Sequence, residues 1–396
     1  MSELFLMNTY ARMPVAFEHG RGAWLFDEHG HRYLDAISGI GVCNLGHADP
    51  VIAQVIAEQA RTLIHTANLG HIPAQQRLAE TLCRISQMDK AFITNTGAEA
   101  VECAIKIARH YGFDRGIEQP SIVCMSDAFH GRTIAAITAS APGKLQQGFD
   151  PLPGGFERVP FNDVDALEQH LSTHPACVAV LLEPIQGEGG VQIPDPGYWT
   201  ALRQLCDERH VLLMFDEIQC GLYRTGRAWA HQHEPQALPD VLTTAKALGN
   251  GLPVAACLAR GPAATTLQPG SHGSTFGGSP LACSTALAVL ERMRFLRLDE
   301  RAAAIGLHML DRLNQQLKQH PRVSDVRGQG LMIGIELIDD ASDVRAHALA
   351  HGVLINVTRD CIIRLLPPLI IDRSQANRIV DTVVEGINHR GAELAE

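Results

Sequence analysis

From about residue 91 the chain alternates short apolar runs with amphipathic stretches of helical period. AFITNT leads into GAEAVECAIKIARHYG, then SIVCMSD, and VAVLLEPI, GYWTALRQLCDERH, VLLMFDEI and DVLTTAK repeat the scheme. Apolar strands separated by helices predict an α/β fold with a mostly parallel sheet, because each crossover helix buries its apolar stripe on a sheet face. Ligands of such sheets bind beyond the carboxyl ends of the strands, so the residues that close each apolar run become candidates for chemistry. A long helical pattern follows from about Pro280 to Lys318. Beyond it GLMIGIEL, VRAHALAHG, VLINVTR, IIRLLPPLI and a last helix from Ser374 predict a smaller α+β unit. Near the start, GAWLFDEHGHRYLDA holds two strand patterns about a turn at Asp27 to Gly30. The expected division is an N-terminal segment, 1–45, packed with the small domain, a large ligand-binding domain, 46–284, and a C-terminal small domain, 285–396.

A chain of 396 residues with 46% hydrophobic content can bury a large core in two or three domains. Its formal charge of −10 offers no basic footprint, which predicts neither nucleic acid nor an anionic membrane as partner. No apolar run reaches the ~20 residues of a membrane helix. The opening MSELFLMNTY has an acid at position 3 and no basic lead into an apolar stretch, so no secretory signal is predicted. The ten cysteines are scattered through apolar patterns without a CxxC pair, as expected of reduced, buried thiols in a cytoplasm. Small metabolites are the expected partners.

Only five lysines occur, at 90, 106, 144, 246 and 318. Lys90, Lys106 and Lys318 read as surface residues, whereas Lys246 ends the apolar run DVLTTAK and precedes ALGNGLP, whose glycines permit a ligand close to the backbone. A lysine in apolar surroundings has a lowered pKa and can attack carbonyl carbon, although taken alone an exposed structural lysine remains the commoner outcome. Asp216 closes the intensely apolar VLLMFDEI and needs a cationic partner there, either a protonated ring nitrogen or a structural one. TNTGAEA, Thr94 to Ala100, carries a strand into a helix whose first amides and the Thr96 hydroxyl could hold phosphate; Thr96 and Glu99 also fit a plain capping box. Arg132 in AFHGRT and Arg364 in IIRLLPPL could grip carboxylates, and Glu188 in EPIQGEGGV could pair with one of them; structural salt bridges would look the same. No GxxxxGK[ST] or GxSxG motif is present, and GQGLMIG leads into a strand, not a helix. The pairs His29/His31 and His231/His233 read as polar turns without nearby Cys or acid ligands at metal spacing, so no metal site is predicted.

Taken in order, TNTGAEAVECAIK, AFHGRT, EPIQGEGGV, FDEIQCGLYRTG, TTAKALGNGLP and HGSTFGGSPLAC resemble the class III pyridoxal-phosphate aminotransferases of fold type I, from about Arg21 to Arg364. The resemblance implies that Lys246 holds the cofactor as a Schiff base, that Asp216 pairs with its pyridine nitrogen and that Gln219 sits near its ring hydroxyl. It implies Phe129 stacked on the ring and phosphate bound by the amides of Gly97 and Ala98. Thr275, preceded by Ser274, is expected to reach the phosphate of a neighbouring subunit, making a homodimer the active unit. Arg132 and Ser274 would contact the acylated end of an ornithine-type donor, with 2-oxoglutarate as acceptor and Glu188 masking Arg364 in one half of the cycle. Ornithine, succinylornithine or 4-aminobutyrate are alternative donors, and a silent binding protein is the alternative of another class. Val101, Asn250, Ser279 and Cys220 depart from the family's usual Asn, Gly, Asn and Thr, but remove no assigned group.

Overall fold

The computed structural model describes residues 5–393. Strands β1 (Phe17–Arg21), β2 (Trp24–Asp27) and β3 (Arg32–Asp35) form a meander, followed by a helical turn α1 (Ser38–Gly41) and helices α2 (Pro50–Thr62) and α3 (Pro73–Ser86). The alternating region supplies β4 (Lys90–Thr94), α4 (Gly97–Asp114), β5 (Ser121–Met125), α5 (Ile134–Ala139), β6 (Phe156–Val159), α6 (Val164–Thr173), β7 (Cys177–Leu182), α7 (Tyr198–Arg209), β8 (Leu212–Asp216), β9 (Val241–Thr244) and β10 (Ala255–Ala259). Then come α8 (Pro280–Phe295), α9 (Leu298–Leu317), β11 (Val323–Gln329), β12 (Met332–Leu337), α10 (Ser342–Ala350), β13 (Val353–Leu354), β14 (Asn356–Thr358), β15 (Ile362–Leu365) and α11 (Arg373–Glu393).

The central sheet has the order β4-β10-β9-β8-β7-β5-β6. β6, β5, β7, β8 and β9 run parallel, and β10 lies antiparallel between β9 and β4. Every residue of β5, β7, β8 and β10 is buried, which is why these strands read as unbroken apolar runs and not as alternation. One face packs on α4 through Ala104, Ala108 and Met214, and the other on α7 through Leu202, Leu213 and Phe215.

The continuous helical pattern of 280–318 is two helices. α8 packs on α2 and α3, whereas α9 packs on β11 and α11, and the chain turns between them at Arg297 (φ 50). Both halves keep the helical period, so only the change of partner distinguishes them. Two further sheets, β1-β2-β3-β13 and β11-β12-β15-β14, complete the fold, with β13 paired parallel to β3. Among the described residues no helix is long and apolar enough to cross a membrane.

Candidate active site

A cavity of about 380 Å³ opens at the carboxyl ends of the central strands. Thr96, Gly97 and Ala98 reach it after β4, Phe129, His130 and Arg132 after β5, Glu183 after β7, Asp216 at the end of β8, Gln219 just beyond it, and Lys246 after β9. The fold thus gathers at one edge residues more than a hundred positions apart.

α4 begins at this cavity with a full capping box. Glu99 N donates to Thr96 Oγ1 at 3.3 Å and Thr96 N to Glu99 Oε2 at 2.9 Å, while the first intrahelical bond is Ala100 N to Thr96 O. The amides of Gly97 and Ala98 therefore have no intrahelical acceptor and face the cavity with the positive end of the helix dipole. Gly97 sits so close to Ile218 that a Cβ there would lie 2.8 Å from its Cδ1.

Asp216 is 3% exposed and held on both oxygens. Oδ1 accepts from Thr243 Oγ1 and from Ile218 N, each at 3.1 Å; Oδ2 lies 2.8 Å from His130 Nδ1. A carboxylate accepts only, so His130 carries its proton on Nδ1. His130 is a site residue that inspection of AFHGRT passed over, and Glu183 was passed over in EPIQGEGGV. Glu183 is buried, accepts from Phe129 N at 2.9 Å and from Gly187 N at 3.0 Å, and is pushed up by burial to about 7, with Asp216 adding to the rise.

Lys246 follows β9 with part of its surface open to the cavity. Burial of its amine, helped by the Arg364 charge, brings it down to about 8 against the pull of Glu188, Glu183 and Asp216. Arg364 is buried, as its apolar neighbours foretell, and fully partnered. Its Nη1 donates to Glu188 Oε1 at 2.7 Å and to Gln219 Oε1 at 3.2 Å, and Nε and Nη2 both reach Asn356 Oδ1. Burial opposes charge on Glu188, but Arg364 wins and holds its carboxyl below the ordinary value. Arg132 is exposed at the mouth, with its guanidinium 5.5 Å from the Phe129 ring centroid.

Ser274 and Thr275 do not line the cavity of their own chain. Ser274 Oγ accepts from Asn95 Nδ2 at 3.2 Å, and Thr275 is exposed. Two readings of the sequence need correction. Lys106 is no free surface residue, since its Nζ binds Ser271 O and His272 Nδ1 and so ties α4 to the loop before Ser274. His231 lies not in a polar turn but buried, with Nδ1 2.7 Å from Glu217 Oε1, and His31 Nδ1 lies 3.0 Å from Asp27 Oδ2. Lys90 and Lys318 are exposed. Of the departures, Asn250 accepts from Leu45 N and donates to Gly46 O, and Ser279 caps α8.

Over residues 6–387 the chain matches the family model described as aminotransferase class-III. It is 48% identical over 378 residues to an acetylornithine aminotransferase of Nitrosomonas europaea, a span covering 96% of each chain. An ornithine aminotransferase of Toxoplasma gondii, crystallized in the presence of oxidized glutathione and with partial occupancy of pyridoxal phosphate at its active site, is similar with a TM-score of 0.96 at 33% identity, covering 100% of this chain and 94% of that one. An acetylornithine aminotransferase of Elizabethkingia anophelis has a TM-score of 0.87 at 33% identity, covering 98% and 97%.

Proposed function

Because the chain belongs to the class III aminotransferases, we propose that it moves the terminal amino group of N2-acetylornithine to 2-oxoglutarate, giving N-acetylglutamate 5-semialdehyde and glutamate, a step of arginine biosynthesis. The observation that carries this reading is the convergence of Lys246, Asp216 and the free amides of α4 on one cavity. That set fits pyridoxal phosphate: an amine of lowered pKa for its aldehyde, a buried carboxylate for its ring nitrogen and a helix terminus for its phosphate. When bound, the cofactor supplies an electron sink for the carbanion formed at the substrate carbon.

The chain's own residues do the rest. Lys246, held in the cavity and neutral in a substantial fraction, moves the proton from the substrate carbon and returns it. Asp216, positioned by His130 and Thr243, keeps a proton on the ring nitrogen. Phe129 would cover the ring, and Arg132 at the mouth would meet the donor's distal carboxylate together with Ser274 of the partner subunit, since Ser274 lies outside the cavity of its own chain. The donor has no carboxylate beside its reacting amine, whereas glutamate does. Glu188 therefore neutralises Arg364 in the first half, as in the pair described above, and leaves it to bind the α-carboxylate in the second. Thr275, exposed and outside its own cavity, is assigned to the phosphate of a partner subunit, which makes the working unit a homodimer. Ten cysteines without a disulfide support a reducing cytoplasm as its place.

The test is an absorption spectrum of the purified holoenzyme. The visible band of the bound cofactor should shift to the near-ultraviolet with N2-acetylornithine and return with 2-oxoglutarate. A band that responds to ornithine or 4-aminobutyrate but not to the acetylated amine would reassign the donor. No band after incubation with pyridoxal phosphate would leave a binding protein.

A further inference from the structure

If Glu188 gives way to a substrate carboxylate as proposed above, Arg364 needs a partner that stays. We propose that this partner is Asn356, a positioning residue that fixes one edge of the guanidinium without cancelling its charge, and so lets a single arginine serve both substrates. Asn356 and Arg364 are direct cross-strand partners of β14 and β15, which sets their Cβ atoms roughly 5 Å apart on one face of the sheet. On its other side β15 pairs with β12, which offers only Gly334 opposite Arg364; a Cβ there would lie 3.0 Å from Val191 Cβ. The one side chain standing beside Arg364 across the strands is therefore that of Asn356.

A guanidinium carries five N–H donors in one plane and accepts nothing. Nε and Nη2 both donate to Asn356 Oδ1, at 3.1 and 2.7 Å, and only the oxygen of the amide can face them, since its NH2 would meet donors alone. Nη1 spends its two protons on Glu188 Oε1 and Gln219 Oε1. Each nitrogen thus has a partner, and one proton of Nη2 is left over. When Glu188 withdraws, an incoming carboxylate finds that proton and the one released on Nη1, while the Nε edge stays occupied.

Of the three partners, Glu188 is the one free to leave. Its side chain is 35% exposed against 1% for Arg364. Gln219 is buried and wedged against Gly187, where a Cβ would overlap its amide, and Asn356 is held by its strand. The chemistry of the anchor matters as much as its place. An amide oxygen satisfies the buried donors and leaves the positive charge for a substrate, whereas a carboxylate at the same position would neutralise Arg364 in both halves of the cycle. With no anchor, the Nε edge would be a buried donor without an acceptor once Glu188 has gone, and the guanidinium would turn to find one. Asn356 therefore favours the substrates that carry a carboxylate beside the reacting carbon, glutamate and 2-oxoglutarate, and is indifferent to the ornithine-type donor, which meets Arg364 already masked.

Asn356→Asp keeps the shape of the side chain and makes the neutralisation permanent; Asn356→Ala removes the anchor. Binding of glutarate, a dicarboxylate with no group to react, to the holoenzyme is measured by calorimetry, and the two half-reactions are followed in single turnovers with N2-acetylornithine and with glutamate. Each variant should bind glutarate roughly tenfold more weakly than the parent and need a correspondingly higher glutamate concentration for half-maximal rate, while the N2-acetylornithine half-reaction stays within about twofold. Glutarate binding in Asn356→Asp as tight as in the parent would overturn the proposal. So would equal losses with both substrates accompanied by a lower melting temperature, the mark of a merely structural residue. Glu188→Ala is measured beside them: an unchanged ratio of its half-reactions, or a parent that takes no glutamate, would remove the switch itself and the role of Asn356 with it.

Discussion

The carboxylate of Asp216 is fixed by His130, Thr243 and Ile218 before any ligand arrives. A charge-assisted hydrogen bond of this kind contributes about 1.5–3 kcal/mol, so His130→Ala should lower kcat/KM by roughly ten- to a hundredfold. The same variant should loosen the cofactor, read from the spectrum at limiting pyridoxal phosphate. Lys246 sets a pH dependence. Its ammonium loses its proton near 8 instead of 10.5, and only the free amine attacks an aldehyde. Capture of pyridoxal phosphate by the cofactor-free chain should therefore rise with pH, about tenfold per unit below 8, and level off above it; a midpoint near 10 in stopped-flow absorbance would contradict the burial argument. Glu188→Ala tests the carboxylate switch. With Arg364 unmasked, the half-reaction of the amine should slow roughly tenfold relative to that of glutamate, and an unchanged ratio of single-turnover rates would sink the switch. Lys246, Asp216 and Arg364 stand out in the sequence because each is a charge set into an apolar run, but what each does there was implied only by the resemblance to the family. His130 and Glu183 do not stand out, because what makes them matter is a partner 86 or 54 positions away across the sheet.

Helix α4 shows what a single element can declare. TNTGAE states its own start, since Thr96 and Glu99 satisfy each other's amides locally and leave those of Gly97 and Ala98 for a ligand. Thr96→Ala should cost about 1 kcal/mol through the lost cap and weaken the cofactor more than that. Thr96→Ser should restore both, measured as thermal stability with and without pyridoxal phosphate. Parallel strands were legible as apolar runs, but their order was not, because hydrophobicity states that a strand is buried and not which neighbour buries it. Hence the antiparallel β10 and the spatial neighbours β5 and β7 have no mark in the sequence. The break at Arg297 is hidden for the same reason, as the apolar period of α8 and α9 continues across it.

At the scale of the whole molecule, one question is whether a site is completed within a chain. The cavity draws on the carboxyl ends of five strands, and Arg364 of β15 in the C-terminal region bonds to Gln219 of its lining, yet Thr275 stays outside it. If Thr275 serves the partner's phosphate, each active site combines Lys246 of one subunit with Thr275 of the other. Chains carrying Thr275→Ala would then lack that contact at both sites of a dimer, and chains carrying Lys246→Ala would lack the reactive amine at both. A hybrid of the two regains one complete site, because the chain with intact Lys246 receives intact Thr275 from its partner. Random mixing makes half the dimers hybrid, with one good site of two, so about a quarter of the parent activity should appear at limiting cofactor. If Thr275 served its own chain, the hybrid's only Lys246 would sit beside the alanine, and the refolded mixture would show no more than the mean of the two variants.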